Sequence, residues 1–120
     1  MNEVCWSISE SELVGLTPER ARDLVVDCFY FAQHQTFARS RLKVGATHLD
    51  EASLRSNVLS AVKLAFGESG GDFEHPSLES LQAAIAVLAR KAEAWGTPPD
   101  IIRHHSQQVK RMFERMAAGA

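Results

Sequence analysis

His34, Gln35 and Arg39 sit close together on a stretch whose preceding residues, Leu24 to Ala32, are apolar except for Asp27. An arginine fork holds a carboxylate or phosphate by two parallel bonds, and an amide and an imidazole nearby can orient it. That is the chemistry of a small anionic-ligand pocket. At helical spacing, Gln35 and Arg39 continue the face of Leu24, Cys28 and Ala32, while Asp27, His34 and Arg41 stack seven residues apart. The same groups meet water or a partner's carboxylates if the helix outruns its core.

His105 is the second polar oddity, because it occupies an apolar stripe between Ile102 and Val109. The expectation is a buried, neutral ring bonded to one internal acceptor. The sharper reading makes it a pocket wall with His34, Gln35 and Arg39, or a metal ligand. A metal needs three or four converging ligands, and no spacing in the chain supplies them. No metal and no cofactor are therefore expected, and no catalytic residue is assigned.

Other motifs carry less. Ser60-Ala-Val-Lys63 matches the S-x-x-K pattern of serine acyl-enzymes, but the companion S-D-N and K-T-G motifs are absent. A di-iron bundle needs two E-x-x-H motifs, and only Asp72-Phe-Glu-His75, in a glycine-rich stretch, comes near. Patterns for zinc, haem attachment, dinucleotides and P-loop phosphates are missing. Arg103, His104, Lys110, Arg111 and Arg115 give the last helical segment a basic side. The net charge of −2 over the chain nevertheless argues against nucleic acid as a partner.

Four helical segments must position these residues. The first opens at Thr17-Pro18-Glu19, where threonine caps, proline suits the first turn and glutamate complements the dipole. It runs to about Val44, before Gly45. The second starts with Asp50 as its cap and ends near Phe66-Gly67. Leu54, Val58, Ala61, Val62 and Ala65 share one of its faces, Ser56, Ser60 and Lys63 the other, and Glu51 and Arg55 form a pair four apart. The third runs from Pro76-Ser77 to Trp95, with a seam of Leu78, Leu81, Ile85, Leu88, Ala92 and Trp95. The fourth opens at Thr97-Pro98-Pro99-Asp100 and continues to about Ala117.

Short connections make neighbouring helices antiparallel, which predicts an all-α, up-down-up-down four-helix bundle over residues 17–120. Residues 1–16 form an arm. Val4, Trp6 and Ile8 alternate as in an extended segment, and Ser9 with Glu12 has the signature of a capping box before a short helical turn.

The chain's 120 residues, 45% hydrophobic and 23% charged, describe one soluble domain with a real core. No apolar run is long enough to cross a membrane, and the first twelve residues lack the pattern of an export signal. Cys5 and Cys28 are expected as reduced thiols in a cytoplasm. Because residues 24–32 are apolar almost all round, the first helix needs a second cover. The expectation is a noncatalytic helical interaction module that works by protein–protein contact. It forms a homodimer around that helix, with Trp6, Val26 and Phe29 at the interface. The alternative is a small anionic-ligand-binding or enzymatic bundle using His34, Gln35, Arg39 and His105.

Overall fold

The computed structural model describes residues 7–44 and 51–119, with side chains described for 7–37 and 51–118. Its five helices are α1 (Glu10–Leu13), α2 (Pro18–Val44), α3 (Glu51–Glu68), α4 (Leu78–Ala94) and α5 (Pro99–Gly119). Among the described residues there is no strand. Trp6, the Asp50 cap, Gly45 and most of the expected extended arm lie outside the described residues.

Local signals set the helix starts. The Ser9 N–H donates to the Glu12 carboxylate at 3.1 Å, as the capping-box spacing requires. Thr17 caps α2 by accepting the Arg20 N–H at 3.2 Å. Ser77 and Ser80 cap each other reciprocally at the start of α4: the Ser80 N–H donates to Ser77 Oγ at 3.0 Å and the Ser77 N–H to Ser80 Oγ at 2.8 Å. The turn after α4 passes through Gly96 at φ +83°, a left-handed conformation that favours glycine.

Packing explains the continuous apolar stretch of α2, which touches α3, α4 and α5. Leu24, Val25 and Phe29 are fully buried, and Ala21, Val26, Cys28 and Ala32 are buried too. A helix lined by three neighbours keeps little polar surface, as its sequence states. Two further contacts close the core, α3 against α4 and α4 against α5.

On α3 the buried residues are Val58, Ala61, Val62, Ala65 and Phe66, while Ser56, Ser60 and Lys63 are exposed. On α4 the buried set is Leu81, Ala84, Val87, Leu88 and Ala92. This set is turned slightly from the expected seam: Ile85 is half-buried, and the end residues Leu78 and Trp95 are exposed.

Two differences concern charge and the loop. Glu51 and Arg55 reach across to α2 instead of toward each other. Glu51 pairs with His34 at 3.3 Å, and Arg55 pairs with Asp27 at 3.3 Å while lying 4.3 Å from the centre of the Tyr30 ring. The segment after α3 is pinned by Phe73, which packs edge-on against Phe66 at 5.7 Å. Arg22 covers the Phe73 ring at 4.8 Å and donates to its carbonyl at 2.8 Å.

Candidate functional site

Of the polar residues singled out on α2 and α5, Gln35 and His105 meet in one cleft. Gln35, Cys28, Ala32 and Phe31 of α2 line it on one side, and Ile101, His104 and His105 of α5 on the other. The cavity is about 10 Å³, room for roughly one water molecule. It is a narrow joint between two helices. His34 lies apart, against the Tyr30 ring at 5.9 Å and paired with Glu51. The side chain of Arg39, the expected anion grip, lies outside the described residues.

His105 is 8% exposed and its ring centre stands 6.1 Å from that of Phe29. Its Nε2 is buried without a hydrogen-bond partner. The expected internal acceptor is thus not found at that nitrogen. Burial, with a smaller contribution from neighbouring His104, pushes its pKa down to about 4, so the ring is neutral near pH 7. Burial raises the Cys28 thiol well above its ordinary value, with Asp27 adding to the effect. A protonated thiol is a poor nucleophile and a poor metal ligand. Among the described residues no group of three or more His, Cys, Asp or Glu side chains is placed to hold a metal ion. Ser60 and Lys63 are both exposed, and the Lys63 ammonium rests 5.5 Å from the centre of the Phe73 ring.

Val26 and Phe29 are 8% and 0% exposed within the single chain. The cover expected from a second copy comes from the chain's own helices, and Phe29 also meets the Trp95 ring at 5.9 Å. The expectation that these two residues face a partner is corrected accordingly.

A different surface emerges where the chain's start meets the end of α5. Gln108 is 5% exposed, and its side-chain oxygen accepts the Ile8 N–H at 2.9 Å. Arg111 donates to the Ile8 carbonyl at 2.8 Å, to Gln108 Oε1 at 2.8 Å and to the Glu10 carboxylate at 2.9 Å. Arg115 grips the other oxygen of the same carboxylate. The two guanidinium groups hold the Glu10 carboxyl below its ordinary pKa, the Arg111 hydrogen bond contributing most. Ile8 and Leu13, 2% and 3% exposed, anchor the segment on either side of this clamp.

Beside the clamp runs a groove of about 300 Å³, lined by Leu13, Leu16, Pro18, Leu78, Met116 and Arg115. A second lobe of about 310 Å³ shares Leu13 and Arg115 and adds Glu10, Arg111 and Glu114. Val14, next to the groove in sequence, is 75% exposed, and Leu78 on its wall is 38% exposed.

Sequence reasoning missed this surface. Gln108 was findable as a polar residue in the apolar stripe between His105 and Met112. Arg111 and Arg115 were noticed as part of a basic side, which Glu10 neutralises in part. No family model, no curated protein and no solved structure matches the chain. Its class therefore rests on architecture alone: a small all-helical protein with a filled core, a water-sized internal cleft and an open apolar groove at one end.

Proposed function

We propose that this chain is a noncatalytic helical interaction module that works as a homodimer, through the groove at the junction of α1, α4 and α5. The observation that carries the reading is the exposure of Leu78 on the wall of that groove and of Val14, which stands in sequence between the lining residues Leu13 and Gly15. A lone exposed aliphatic residue says little. Aliphatic residues gathered around a groove are an association surface. The adjoining lobe bears Glu10 and Glu114 together with Arg111 and Arg115. A patch with both signs can meet its own copy across a two-fold axis.

In the same reading residues 17–120 form an up-down-up-down four-helix domain, with residues 1–16 as its arm. The pairs Glu51–His34 and Arg55–Asp27 support antiparallel α2 and α3, since ascending numbers on one helix meet descending numbers on the other. The cytoplasm is the proposed compartment, where a buried, reduced Cys28 is stable. The rival small-ligand reading depends on the cleft beside His105, whose volume accommodates little more than a water molecule.

An NMR dilution series tests the proposal. The resonances of Val14, Leu78 and Met116 are expected to shift with protein concentration, while those of Cys28 and His105 stay fixed. Concentration-independent spectra into the high micromolar range contradict it.

A further inference from the structure

We infer that the clamp on α5 is a docking site for the N-terminal segment of a second copy, so that two chains exchange residues 8–13. The inference rests on the homodimer reading and specifies how the two copies hold each other.

The segment is recognised as a separate ligand would be. Gln108 and Arg111 read the backbone N–H and C=O of Ile8, two bonds that any extended residue offers. Arg111 and Arg115 together read the carboxylate of Glu10, which selects an acidic side chain at that position. Ile8 and Leu13 fill apolar sites five residues apart. The pattern is apolar-x-acidic-x-x-apolar, and the chain carries both the pattern and its receptor. A helix of four residues has no stability of its own, so α1 owes its conformation to this docking.

The tether permits the exchange. Val14, Gly15, Leu16 and Thr17 join the docked segment to α2, a reach of at most ~14 Å when extended. Gly15 sits at φ +61°, with nothing within 4 Å of where a side chain would begin, so the turn there rests on glycine's backbone freedom. Val14, the most exposed of the large hydrophobic residues described, lies in this tether. In an exchanged dimer the two tethers pass each other at the groove, and each Val14 gains a cover. Reciprocal docking uses the same contacts twice and closes the assembly at two copies.

Trans-complementation of charge tests the exchange in the full chain. E10R breaks the ligand half of the clamp and R115E the receptor half; both side chains are solvent-accessible, so the core is untouched. Within one chain, or in either homodimer, no native clamp survives. When the two variants are mixed, exchange restores one native clamp, from Glu10 of the R115E chain on Arg111 and Arg115 of the E10R chain. Native mass spectrometry is expected to record heterodimer above the statistical proportion. The control is E68K mixed with K91E, which makes the same charge changes at the Lys91–Glu68 contact between α3 and α4; that mixture is expected to stay statistical. Statistical mixing of the first pair, no heterodimer, or an equal excess in the control overturns the exchange while leaving a dimeric parent protein intact. A parent protein that is itself monomeric in the same spectra overturns the homodimer reading as well.

Discussion

The side-chain oxygen of Gln108 accepts the backbone N–H of Ile8 at 2.9 Å across a hundred residues of sequence. Both partners are buried, so the bond is protected from competing water. Replacing Gln108 by Leu leaves the Ile8 N–H enclosed with no acceptor and removes one of the three acceptors of Arg111. A buried donor left without its bond costs about 1–3 kcal/mol. Urea unfolding is expected to show a lower midpoint with an unchanged slope, and an unchanged midpoint contradicts the docking of the segment.

His105 makes stability depend on pH. Its folded pKa, about 4, lies below the ordinary histidine value of 6.5, so folding favours the neutral ring. The contribution is fully present above pH 6.5 and is lost progressively as pH falls from there towards 4. The whole loss is on the order of 3 kcal/mol. Exchanging His105 for Leu removes the unpartnered Nε2 and is expected to flatten this part of the stability profile. Parallel profiles for parent and variant between pH 4 and 6.5 contradict the assignment.

Leu88 and Leu78 share α4 but differ in burial, 0% against 38% exposed. Leu88→Ala is expected to cost about 2–5 kcal/mol through lost transfer energy and the cavity left behind. Leu78→Ala is expected to change folding stability by less than about 1 kcal/mol, because surface substitutions seldom cost more. Thermal melts of the two variants check the contrast, and equal losses contradict the orientation of α4.

How much of this was legible in the sequence depends on the range of the interaction. Thr17-Pro18, Ser77 and the Ser9–Glu12 pair act on the backbone within one helical turn, so their signals stand in consecutive residues. The faces of α3 followed from its 3.6-residue repeat. What surrounds α2 did not. The run from Leu24 to Ala32 announces a helix with apolar neighbours on most sides, but not that α3, α4 and α5 of the same chain supply them. Val26 and Phe29 were assigned to a second copy for that reason. The convergence of Gln35 and His105 was anticipated from two separate stripes, whereas the volume between them depends on how closely α2 and α5 approach. Glu10 and its two arginines lie about a hundred residues apart, and no local pattern couples an acidic start to a basic end.

Sedimentation equilibrium of the full chain, compared with Val14→Glu, tests the central claim most directly. Val14 is 75% exposed, so the substitution leaves the core unchanged and places a charge at the edge of the proposed contact. The parent chain is expected to approach twice its 13.3 kDa mass as concentration rises through the micromolar range, and the variant to remain near 13.3 kDa. A parent chain that stays near 13.3 kDa at high micromolar concentration, or a variant that associates as well as the parent, contradicts the account.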